Sequence, residues 1–105
     1  MSEPFARPDA PICVVVITYV APLKAIDAAM AAHVAWLTKG YEQGVLLASG
    51  RRTPRTGGVI LMRGEQAAVE AVAATDPFVE AGLSTIEVLS FTASMAAPAL
   101  AGLLA

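Results

Sequence analysis

A chain of 105 residues lies within the roughly 100–150 of a single domain, and at 56% hydrophobic and 15% charged it carries more apolar surface than a small monomer readily hides. One core, self-associated as a homodimer or higher homo-oligomer, is the expectation. Seven basic residues against nine acidic ones, a net charge of −2, leave no electrostatic footprint for a nucleic acid. The longest apolar runs, ICVVVITYVA and the alanine-rich tail, are broken by Thr18 and Pro98 short of the about 18 residues that a membrane span needs.

The opening MSEPFARPDAP, with Glu3 and its prolines, does not follow the basic-then-apolar order of a secretory signal. Cys13 is the single cysteine, so an internal disulfide is excluded, and one Cys with one His is a poor start for a metal site. A cytoplasmic protein without structural zinc is expected.

Ile12 to Val20 is rich in β-branched and aromatic residues and predicts a first strand, covered on both faces or buried in an interface. Pro22 suits a helix start, and Ile26, Met30, Val34, Leu37 and Tyr41 recur at helical steps until Gly40 and Gly44 end the pattern. Val45–Ser49 and Gly58–Met62 read as an antiparallel pair joined by the turn-rich RRTPRTGG. Glu65–Ala74 predicts the second helix, which stops before Pro77. The segment FVEAGL reads as a short turn, and STIEVLSF as a half-buried strand. The order β-α-β-β-α-β predicts an α+β, ferredoxin-like fold, a four-stranded antiparallel sheet with both helices on one face. With no third helix to spare, a second copy of the sheet is expected over the other face, as in dimeric α/β barrels. The domain core is expected over about 12–92, with terminal extensions at 1–11 and 93–105. The tail SMAAPALAGLLA reads equally as a short helix or as a segment crossing to a partner.

Candidate chemistry starts from His33, the only histidine, which falls inside the apolar stripe of the first helix. Its plain reading is a half-buried ring bonded to a backbone carbonyl; its sharper one is a proton-transfer group, since free imidazole titrates near 6.5. Asp76, where the second helix ends, reads by itself as a turn or capping residue. In a split β-α-β fold the two helices lie side by side, so the two groups can meet if their heights match. A carboxylate on an imidazole fixes its tautomer and makes it more basic. Ser49 reads as a turn residue or as a hydroxyl holding a substrate oxygen; no nucleophile elbow surrounds it. Arg51 and Arg52 are solvated loop cations or partners for a ligand anion. Tyr19, Trp36 and Phe78 read as core or interface residues, and Gly57-Gly58 as a turn signal, not a phosphate loop.

Taken together, HVAWLTKGYEQGVLLASG, GGVILM and DPFVEAGLSTIEVLSF resemble the YCII-like (YciI-related) family over about Ile12 to Phe91. Its marks are the helical histidine with Leu37 after it, the pattern G-x-L-x-x-S-G at 44–50, the double glycine and Asp-Pro-Phe followed by Ala-Gly-Leu. The resemblance implies a dimeric ferredoxin-like fold and a site of histidine, aspartate and sometimes serine, which map onto His33, Asp76 and Ser49. Many members have no known activity. The family also includes dehydrochlorinases of chlorinated hydroxyquinols, where a His-Asp pair is credited with the protons of an elimination. Many relatives have proline after the Ser-Gly; here Arg51 stands there. The expected function is that of a small homodimeric enzyme that moves a proton on a small, oxygen-bearing ligand without a cofactor. His33 is its expected acid/base, with Asp76 orienting it, Ser49 binding a substrate oxygen and Arg51 attracting an anionic group. A non-catalytic ligand-binding or assembly module of the same fold is the alternative reading.

Overall fold

The β-branched run lies where its composition places it, at the centre of a sheet. In the computed structural model, which describes residues 3–104, strand β1 (Ala10–Tyr19) pairs antiparallel on one side with β3 (Gly57–Arg63) and on the other with β4 (Ser84–Ala93). The edge strand β2 (Leu46–Arg51) pairs antiparallel with β3, giving the order β2-β3-β1-β4. Helices α1 (Leu23–Glu42) and α2 (Gln66–Ala73) lie against one face, which makes the architecture ferredoxin-like. The outermost residues, 1, 2 and 105, which belong to the expected terminal extensions, lie outside the described residues.

Period-two alternation divides the strands between two cores. Cys13, Val15 and Ile17 of β1, Ile60 and Met62 of β3 and Leu46 of β2 are buried against Val69 and Ala73 of α2, with Trp36 and Leu37 of α1 packed on them. On the opposite face Ala10, Ile12 and Ala93 are buried with Leu104, and Leu47, Leu61 and Leu100 complete that cluster. The covering element is helix α4 (Pro98–Leu104), so the alanine-rich tail forms a helix on its own sheet. This corrects the expectation that no third helix was to spare. Its seven residues reach only one end of the face, leaving Leu89 60% and Phe91 47% exposed.

FVEAGL is not a simple turn. Pro77–Glu80 forms a one-turn helix, α3, with Asp76 as its N-cap: the Asp76 side chain accepts a hydrogen bond from the Phe78 N–H. Proline in the first turn costs no hydrogen bond because that N–H has no helical acceptor, so Pro77 opens α3 three residues after the Ala74 cap of α2.

Three glycines mark a helix end and two close approaches. Gly44 has φ +73° and closes α1, whereas Gly40 sits inside the helix, where a Cβ would run into the buried Leu46 side chain. Gly57 faces Thr18 of β1, and a Cβ there would lie 1.8 Å from the Ile17 carbonyl oxygen. The double glycine is therefore a point of close backbone approach as well as a turn signal.

Candidate active site

The heights of the two helices match. Two parallel ties join α1 to the α2–α3 junction: Trp36 Nε1 donates to Thr75 Oγ1 at 2.9 Å, and one turn earlier His33 Nδ1 lies 2.8 Å from Asp76 Oδ1. Thr75 Oγ1 in turn donates to the Val72 carbonyl at the end of α2, which anchors the first tie to the backbone.

Each residue of Asp-Pro-Phe contributes to this arrangement. Asp76 Oδ1 accepts from both His33 Nδ1–H and the Phe78 N–H, so the cap and the imidazole bond share one oxygen. Pro77 turns the chain. Phe78, fully buried, stacks its ring on the imidazole with centroids 4.0 Å apart and planes 10° apart, and Trp36 lies roughly parallel at 6.2 Å. The imidazole is thus held in plane and in tautomer. Asp76 is 1% exposed and its Oδ2 is buried without a hydrogen-bond partner among the described residues, an arrangement that costs free energy.

His33 also lines a cavity of about 270 Å³ between α1 and the β2–β3 side of the sheet. Met30, Val34 and Leu37 of α1 face Ile17 and Ile60 across it, and Ser49, Gly50, Arg51 and Tyr19 supply its polar rim. Asp76 is not in that lining, so the bond behind the ring commits Nδ1 and leaves Nε2 for whatever enters. The cavity brings together three of the four residues named from the sequence, His33, Ser49 and Arg51, with the fourth, Asp76, behind the first. Ser49 is exposed and its Oγ lies 2.7 Å from the Tyr41 hydroxyl, two turns along α1 from His33.

Two cavity neighbours escape the sequence reading. Tyr19, expected as core or interface, lines the cavity with its ring edge-on to Phe78 at 5.9 Å, and Tyr41 reaches Ser49. Tyr41 was visible as an apolar-stripe residue four after Leu37; for Tyr19 the signal was its place at the end of the central strand. Arg52 does not line the cavity and donates to Thr18 Oγ1 at 3.2 Å. Cys13 is buried against the helices, its Sγ 3.5 Å from the Gly64 carbonyl; burial, then the charges of Glu65 and Glu70, push its thiol above the usual range and keep it protonated. No helix among the described residues is long and apolar enough to cross a membrane.

Sheet order, paired helices and a carboxylate-backed histidine at a cavity wall define a small α+β domain of ferredoxin-like type. The chain belongs to the family of the YCII-related domain, whose sequence profile matches residues 12–92. Among solved structures it is similar to 5-chloro-2-hydroxyhydroquinone dehydrochlorinase from Burkholderia phenoliruptrix AC1100 in complex with 2,5-dihydroxybenzoquinone, with a TM-score of 0.64 and 20% identity over 74% of this chain and 90% of that one. At that identity the likeness is one of fold. No curated protein matches the sequence.

Proposed function

We propose that the protein is a small cytoplasmic acid/base enzyme that works without a cofactor on a small oxygen-bearing substrate, by proton transfer, elimination or isomerisation. The observation that carries this reading is the 2.8 Å His33–Asp76 bond on a ring that also lines a cavity. With Nδ1–H donating to the carboxylate, Nε2 holds the lone pair and acts as base, and Asp76 stabilises the imidazolium that forms. Nε2 takes a proton from a substrate oxygen or the carbon beside it. The electron pair left behind either expels a leaving group such as chloride or shifts the double bond, and in the second case His33 returns the proton at a new position. Ser49 holds a substrate oxygen and Arg51 attracts an anionic group. The cavity is of a size for one ring, and the ligand and activity in the name of the fold neighbour, a quinone and a dehydrochlorination, agree with that class.

A second reading has its own support. Asp76 caps α3 and His33 stacks on Phe78, so the same two residues hold the fold of a ligand-binding or assembly module. Incubating the wild type with chlorinated hydroxyquinols, phenols and lactones while following chloride and proton release separates the two. Turnover of any of them supports the enzyme. No turnover, with no change of the His33 imidazole NMR signals on adding the same compounds, leaves the module.

The proposed unit is a homodimer, or a higher homo-oligomer, of one domain with its core at about 12–92. Val59, Leu89 and Phe91, all exposed on the face that α4 leaves open, are the surface a second sheet would cover.

A further inference from the structure

One end of the cavity is formed where the chain leaves β1 and rounds the β2–β3 hairpin. Tyr19 ends β1, its backbone N–H donates to the Thr56 carbonyl at 2.9 Å, and Arg51 pairs across β2–β3 with Gly58; Tyr19, Arg51 and Gly58 lie in the cavity wall. Arg55, next to Thr56 and outside the cavity lining, forms an ion pair with Asp27 of α1. Its hydrogen bond to Asp27 raises the guanidinium further above its usual range, and the phenol of Tyr19 beside it contributes in the same direction. Asp27 is itself kept ionised by Arg55, first by the hydrogen bond, with Arg51 also acting on it. Arg55 thus pairs with a carboxylate that is 59% exposed, while Arg51 is left to face the cavity. Arg51 stands in the cavity wall and, among the described residues, no acidic one does, so this end of an otherwise apolar cavity is locally positive, and Tyr19 lines the same end.

We infer that Tyr19 is a ligand-contacting, specificity-determining residue, whose phenol donates a hydrogen bond to an ionised oxygen of the bound molecule, with Arg51 and Arg55 supplying the charge that favours the anion. This rests on the reading of the cavity as the site where His33 meets a substrate, and it narrows that substrate to a phenolate, enolate or ionised hydroxyquinone. Arg55 lies outside the cavity lining and contributes by its charge alone. Hydrogen bonds to charged groups are the strong ones, and against a mostly apolar wall they favour the ionised over the neutral ligand.

The test is a calorimetric titration with two ring probes of similar size, 2,5-dihydroxybenzoquinone, a vinylogous acid that is ionised at neutral pH, and 2,5-dimethoxybenzoquinone, which cannot ionise. The wild type should prefer the first by about tenfold or more. Tyr19→Phe keeps the ring edge that meets Phe78 and should reduce the preference to about threefold or less, with the dimethoxy compound bound as before. Arg55→Gln should lower it in the same direction and weaken its dependence on salt, and it carries the test if Tyr19→Phe unfolds. Equal preference in the wild type and both variants, or no preference in the wild type, overturns the role of Tyr19 and leaves the cavity's function standing. A wild type that binds neither probe at millimolar concentration overturns the reading of the cavity itself, and the inference with it.

Discussion

Asp76 shows how one side chain serves fold and site together. Its Oδ1 receives both the Phe78 N–H and the His33 N–H, while Oδ2 is buried with no hydrogen-bond partner among the described residues. Asp76→Ala removes a helix cap, typically worth about 1 kcal/mol, and strands a half-buried imidazole N–H, which adds about 1–3 kcal/mol. Relief of the unpaired Oδ2 offsets part of this, so a net loss of about 1–3 kcal/mol in urea unfolding is expected. Asp76→Asn keeps an acceptor for the cap and should lose less. Turnover should fall as far in Asn as in Ala, because a neutral amide does not stabilise an imidazolium. If Asn restored turnover, the carboxylate would be a cap alone. Both readings of this residue were present in the sequence: Asp before Pro at a helix end announces a cap, and His33 on the apolar stripe announces a ring needing a partner. What the sequence lacked was the height match, which depends on the Trp36–Thr75 bond and on how α1 and α2 seat on the sheet.

At the level of elements, the strands and the two long helices follow from local pattern, and the departures have local causes. β1 starts at Ala10, two residues before its β-branched run, because Pro11 lacks only an N–H and its carbonyl still accepts from Gly64. α1 runs through Gly40, which the periodicity treated as a stop, because the glycine is needed for the approach of Leu46 and not for a turn. α3 escaped notice because one turn has no periodicity to read. Gly57 gives the sharpest test of these packing arguments. A Cβ 1.8 Å from a carbonyl oxygen of the central strand cannot be relieved by rotating a side chain, so Gly57→Ala should cost about 3 kcal/mol or more, or prevent folding. Gly102 in α4 meets nothing within 4 Å, and Gly102→Ala should be neutral or stabilising by up to about 1 kcal/mol. Thermal unfolding of both variants checks the contrast. Equal effects would mean that the strands are not held as closely as described.

For the whole molecule, the apolar excess in the composition is only partly absorbed by the fold. α4 takes one end of the second sheet face, an outcome the alanine-rich tail permitted but did not require, since sequence alone offered a partner crossing equally well. The remaining apolar face around Leu89 and Phe91 is the basis of the dimer proposal. Sedimentation should give a dimer at micromolar concentration, burying on the order of 2,000 Å² in total, and Leu89→Arg should shift it towards monomer without unfolding it. A monomeric wild type would contradict the proposal and leave that face to another partner.

The central claim, that His33 moves protons, is tested most directly by comparing wild type and His33→Gln for both turnover and urea unfolding on one substrate of the chlorinated hydroxyquinol class. Glutamine keeps one hydrogen bond but exchanges no proton near neutral pH. Loss of a general acid/base costs about 10²–10⁴ in rate, whereas a lost internal hydrogen bond costs about 0.5–1.5 kcal/mol of stability. The account predicts the first drop in turnover with no more than the second in stability. A variant that turns over as fast as the wild type, or one that unfolds far more easily with turnover unchanged per folded molecule, would contradict it and make His33 a packing residue.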